Sequence, residues 1–168
     1  IFLVLDFLAS QIFILDFLDN KRNLTFKGDI ENRVHNEDYL YTFKKNSSFK
    51  SRFYDFNINI FTNNLGFRSK KVSSVDRSKK FFLLMGDSFV EGVGVKFDDT
   101  IGGNLSKKTV EEFPLYKILN GGVASYSTYI YLKKIKKIVS ENKDINFKNV
   151  IVFLDKTDIK DDSAFIHE

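Results

Sequence analysis

A serine follows a short apolar run in the segment GDSFVEG: residues 81–85 (FFLLM) lead into Gly86, Asp87 and Ser88, with Glu91 and Gly92 just beyond. A serine placed directly after a buried strand sits on a tight turn, with its hydroxyl presented at the end of the sheet. Gly86 permits a close backbone approach that a side chain would block. A helical turn opening at Ser88 leaves its first N–H groups without intrahelical partners, available to negative charge developing beside the hydroxyl. That is the logic of an acyl-accepting serine on an elbow, although the spacing is not G-x-S-x-G. The plainer alternative is an ordinary strand-to-helix turn in which Ser88 is a helix cap. Phosphate-loop chemistry is excluded, because neither a Gly-Lys-Ser/Thr ending nor a G-x-G-x-x-G spacing is present.

Two further loops bear on the same chemistry. Residues 120–127 (NGGVASYS) again join Asn120 to glycines after an apolar run. They offer backbone donors, or they cap the following helix through Ser127. Residues 155–158 (DKTD) follow the run at 149–154 (NVIVFL). A serine hydroxyl needs a proton acceptor to become a good nucleophile, and the histidines of the chain are His35 and His167. Asp87 and Glu91 flank Ser88, but side chains so close in sequence rarely face one reacting atom. Asp87 reads as an acceptor that holds the loop. Arg68 reads as a structural ion-pair partner, with recognition of an anionic substrate group as the alternative.

Composition narrows the field. The 168 residues suit one domain with a core. Lys and Arg number 26 against 22 Asp and Glu, a net +4, too mild for the cationic footprint of a nucleic-acid binder. At 43% hydrophobic and 29% charged residues the chain is not disordered. Cysteine is absent, so a disulfide framework, a thiolate nucleophile and a cysteine-ligated zinc are excluded. Two histidines leave no basis for a multi-histidine centre, and no metal or cofactor is expected.

The elements that position the loops follow from periodicity. Residues 81–85 read as a buried parallel strand. Residues 98–113 read as a helix with Ile101, Leu105 and Val110 inward, weakened by Gly102 and Gly103 and stopped by Pro114. A strand at 115–119 (LYKIL) precedes an amphipathic helix at 128–141, with Leu132, Ile135, Ile138 and Val139 on the core face. Lys133, Lys134, Lys136 and Lys137 fall on its solvated face. A buried strand at 149–154 closes an α/β series with right-handed crossovers and ligands at the carboxyl ends of the strands. Upstream, residues 38–80 read as an extended aromatic arm or short strands and a connector, and residues 20–37 as a linker. Residues 1–18 (IFLVLDFLASQIFILDFL), within a first segment at 1–19, are apolar enough for the tail of a membrane span. A buried helix or a signal-peptide core are the alternatives, because Asp6 and Asp16 are costly in a bilayer.

GDSFVEG after one apolar strand and NGGVASYS after the next resemble blocks I and II of the SGNH/GDSL hydrolase family, and NNLGFRS resembles the segment before block I in its membrane-attached bacterial members. The resemblance covers roughly residues 39–162. It implies a three-layer, flavodoxin-like α/β fold with a parallel sheet, of which residues 81–168 are the amino-terminal part. It also implies an esterase mechanism in which Ser88 is the nucleophile and the Ser88 N–H an oxyanion donor, with Gly86, Asp87, Gly92 and Asn120 in support. The family's block II glycine falls on Ser125, which keeps a backbone N–H. The family's block III asparagine falls on Thr157, whose hydroxyl is a shorter donor. The family's Asp-x-x-His finds no match at His167, which Ala164 precedes by three residues; it is expected beyond Glu168. The expectation is therefore a membrane-attached serine esterase with its catalytic domain outside the cytoplasm. It would hydrolyse or transfer an acyl group on a small or carbohydrate ester, with no nucleic-acid partner. The alternative is a non-catalytic binding or scaffold domain of the same fold with a degenerate oxyanion site.

Overall fold

The structure, a computed structural model, describes residues 31–53 and 56–158. The apolar segment 1–18 and His167 lie outside these residues.

Three strands form the part of the sheet that the apolar runs announce. β6 (Lys80–Met85) lies at its centre, with β7 (Tyr116–Asn120) on one side and β8 (Asn146–Val152) on the other, both parallel to it. The first of the three strands is thus the middle one. The first crossover runs from β6 out to β7, and the second returns from β7 past β6 to β8; this reversal of direction is where such sheets place a ligand crevice, at the carboxyl ends of the strands. The first crossover carries the short helix α1 (Ser88–Glu91), a 3-10 turn at Phe97–Asp99 and helix α2 (Ile101–Glu112). The second is helix α3 (Thr128–Glu141). Phe81, Leu83 and Met85 of β6 pack with Leu119, Phe67, Ile138 and Ile145 in the main core.

The region read as an arm is instead a continuation of the same sheet. β3 (Ser48–Phe53) and β4 (Phe56–Thr62) form an antiparallel hairpin, and the two-residue β5 (Arg68–Ser69) joins β4 to β7. The sheet order is β3-β4-β5-β7-β6-β8, so the fold is mixed α/β with a mixed sheet. The alternation Asn57–Ile58–Asn59–Ile60 carries this addition: Ile58 and Ile60 are buried, whereas Asn57 and Asn59 face water. A separate hairpin of β1 (Arg33–Asn36) and β2 (Leu40–Phe43) begins inside the span read as a linker. Its Tyr39 packs on Val123, Tyr126, Ile130 and Tyr131 in a second core cluster.

Three expectations about burial are corrected. In α2, Val110, read as facing inward, is exposed. In α3, Leu132 and Val139 are exposed, while Ile130, Tyr131, Lys134 and Ile138 face inward. The helix is rotated because a lysine, assigned to water by its charge, finds a buried carbonyl and three aromatic rings. Among the described residues β8 lies at the edge of the sheet, with Ile151 and Val152 partly exposed rather than buried.

The two glycines that weaken α2 in the sequence prove to be its contact face. Both are buried, and a Cβ on Gly103 would lie 1.9 Å from Phe97 O. Thr100 caps the helix here, accepting the Gly103 N–H at 2.9 Å. Alanine gains about 1 kcal/mol of helix propensity, but the overlap with backbone costs about 1–3 kcal/mol. Gly103→Ala is therefore expected to lower the urea midpoint at unchanged m-value. A raised midpoint would mean that the 3-10 turn yields freely.

Candidate active site

The turn after β6 is built by close contact. A Cβ on Gly86 would lie 2.3 Å from Val90 Cγ2, so the turn closes only with glycine there. Asp87 is the cap of α1: its Oδ1 accepts the Phe89 N–H at 2.9 Å. Ser88 is the first residue of the helix, so the capping role that the sequence offered it falls to Asp87. Its Oγ donates to Asp87 Oδ2 at 3.4 Å, a long bond. Gly92 ends the helix in the left-handed region at φ 79°. Burial pushes the Asp87 carboxyl above its usual range, and Asp155 and Asp158 add to the rise.

The loop 120–127 lies directly against this turn. Asn120 is buried and ties the two together: its Nδ2 donates to Val90 O at 2.7 Å, and its Oδ1 accepts the Gly122 N–H at 3.1 Å. A Cβ on Gly122 would meet Glu91 N at 2.5 Å. The loop amides are engaged almost throughout. Gly121 N–H donates to Leu84 O, Val123 N–H to Gly86 O, and Tyr126 N–H to Val123 O. Ala124 N–H donates to Glu91 Oε2 at 2.6 Å. From Gly121 to Tyr126, the Ser125 N–H is the one amide that donates to no group among the described residues; the Ser88 N–H is in the same condition. Ser125 adopts φ 61°. The conformation that a glycine would supply is thus present on a serine, at a cost of roughly 1–2 kcal/mol.

Thr157 is engaged within its own turn. Its Oγ1 donates to Asp155 Oδ1 at 2.6 Å, and its own N–H donates to the same oxygen. These bonds hold the Asp155 carboxyl below the usual range. Asp158 is buried, accepting Tyr131 O–H at 2.8 Å and Asp155 N–H at 2.9 Å. Asp87, Asp155 and Asp158 bring carboxylate oxygens within 4.8 Å of one another, close enough to share a cation. His35 is exposed on β1, opposite Tyr41 in the hairpin register.

Two buried groups emerge that the sequence did not single out. Glu91 receives the Arg33 guanidinium through both oxygens, at 3.1 and 3.2 Å. Lys134 donates to Gly121 O at 3.0 Å, with Tyr39, Phe67 and Tyr126 rings around its ammonium. Arg68 is buried and ties together the backbone that follows α1. Its guanidinium donates to Glu91 O at 2.7 Å, Gly92 O at 2.5 Å and Val95 O at 2.5 Å, fastening the chain after α1. Beside Ser88 runs a groove of about 450 Å³ lined by Phe53, Phe89, Val93, Val95 and Ile101, within the range of small-molecule sites.

Lys134 makes stability depend on pH. Burial pushes its ammonium down to about 7, against an opposing pull from Glu91 and with Arg33 adding to the fall. The unfolded chain keeps this proton to about pH 10.4. Between about pH 7 and about pH 10 the unfolded state therefore binds more protons, and stability should rise with pH. Lys134→Met should flatten that rise in urea midpoints; an equal slope in both proteins would show that Lys134 is not its source.

No protein-family model matches the chain, and no curated protein matches it. Among the described residues, no helix is long and apolar enough to cross a membrane.

Proposed function

We propose that this chain carries the nucleophile and oxyanion loops of a serine esterase of the SGNH type. The observation that bears most weight is the pair of uncommitted amides, Ser88 N–H and Ser125 N–H, on two loops in mutual contact at the carboxyl end of β6 and β7. Backbone donors fixed in this way stabilise a tetrahedral oxyanion without reorganising, and each such donor contributes about 10²–10³ in rate. Ser88 Oγ attacks the acyl carbon, the carbonyl oxygen takes the charge, and the alcohol leaves with the proton taken from Ser88. The proton carrier is a histidine outside the described residues, in an Asp-x-x-His segment. Thr157 joins the donors only if its hydroxyl turns from Asp155 to the oxyanion. The groove beside Ser88 receives a part of a small or carbohydrate ester. Attachment to a membrane through residues 1–18 and a location outside the cytoplasm belong to the same proposal.

One observation favours a second reading, a domain of this fold that binds without turnover. Thr157 donates to Asp155, and three carboxylates crowd the rim beside Ser88, where negative charge opposes an oxyanion. Treatment of the full-length protein with a fluorophosphonate separates the two. Adduct formation on Ser88, located by peptide mass spectrometry, supports the esterase; an unmodified Ser88 beside a labelled control hydrolase supports the binding domain.

A further inference from the structure

Ala124 is held through both of its backbone polar groups, and its carbonyl belongs to the peptide that carries the Ser125 N–H. Ala124 N–H donates to the buried carboxylate of Glu91 at 2.6 Å, and Ala124 O accepts the Tyr41 phenol at 2.6 Å. Tyr41 arrives from β2, 83 residues earlier in the chain, and is itself fixed. Its ring lies 5.6 Å from that of Tyr126, the Arg33 guanidinium stands over it at 5.2 Å, and its carbonyl accepts the Tyr126 phenol. Among the described residues no peptide bond is cis, so the Ser125 N–H points opposite to the carbonyl that Tyr41 holds. A hydrogen bond to a peptide carbonyl also polarises the N–H of that same peptide, making it a stronger donor.

We propose that Tyr41 is a positioning residue for the esterase step, which aims and polarises the Ser125 amide through Ala124 O without touching substrate. This rests on the serine-esterase reading. Two properties separate it from a general packing role. The phenol bonds to the one carbonyl that shares a peptide with the uncommitted amide. Removing the hydroxyl alone leaves the ring contacts with Tyr126 and Arg33 in place.

Tyr41→Phe in the full-length protein is the test, with two readouts. In ester hydrolysis, kcat should fall about 3- to 10-fold at unchanged KM, the effect expected of one lost hydrogen bond expressed in the transition state. In ¹H–¹⁵N spectra of the folded protein, the Ser125 amide proton should move upfield relative to the wild type. A merely structural tyrosine would lower the folded fraction but leave that resonance where it was in the molecules that remain folded. An unmoved Ser125 resonance, or a loss in KM alone, overturns the proposal. Ser88→Ala measured alongside keeps the two failures apart. If its turnover equals that of the wild type, the serine reading falls; if it is inactive while Tyr41→Phe is unchanged in kcat, only the role of Tyr41 falls.

Discussion

Ser88→Ala should reduce hydrolysis of aryl acetates by the full-length protein by about 10⁴-fold or more, to the residue of activity that oxyanion donors and binding alone sustain. The substitution removes one oxygen whose protein contact is the 3.4 Å bond to Asp87, while the cap of α1 belongs to Asp87 Oδ1. Stability should accordingly stay within about 0.5 kcal/mol of the wild type. The contrast between a large loss of rate and an intact fold is what identifies a nucleophile. A loss of rate that tracks a loss of folded protein would point to packing instead. Turnover preserved in the mutant would end the assignment outright.

The largest effect on stability is expected at Glu91. Its carboxylate is buried with Arg33, the two side chains being 3% and 9% exposed, and it accepts the Ala124 N–H as well. Glu91→Gln keeps the shape and an acceptor for Ala124 while leaving the Arg33 charge uncompensated. Removing one partner of a buried pair costs about 3–5 kcal/mol, a large share of the 5–15 kcal/mol that holds a typical domain together. The Lys70–Asp98 pair provides the comparison: its N–O distance is 2.9 Å, but its side chains are 69% and 41% exposed. Asp98→Asn should therefore leave the urea midpoint nearly where it is. Urea unfolding of both variants measures the difference. Similar losses in the two would mean that water reaches Arg33 and that burial does not govern this pair.

The parallel half of the fold is written locally. Apolar runs at β6 and β7 need only be short and continuous to be read as buried strands, and the amphipathic period at 128–141 matches α3 from Thr128 to Glu141. The two site loops follow from their places after those strands. What the sequence leaves unread is decided by partners far along the chain. Glu91 looks like any acid after a serine turn until Arg33, 58 residues away, closes on it. Tyr41 reads as one more aromatic in a rich stretch, and only the fold brings it to Ala124. Lys134 fits a solvated pattern with its neighbours, yet Gly121 O and the surrounding rings draw it inside. Gly102 and Gly103 read as helix breakers because propensity counts the single residue, whereas close packing against Asn120 and Phe97 counts the neighbour.

The joint between the two halves of the sheet is a single rung, where Arg68 of β5 faces Asn120 of β7. Side chains carry the rest of the joint: Phe67, one residue before the rung, packs with Phe81, Leu83 and Met85 of β6, so the antiparallel and parallel parts share one core. Both residues of the rung also fasten the loops that follow β6 and β7, Arg68 through the carbonyls after α1 and Asn120 through Val90. The geometry of these two loops is therefore tied to the alignment of the two parts of the sheet, and a shift of one part against the other would reach Ser88 and Ser125 through the same pair of side chains.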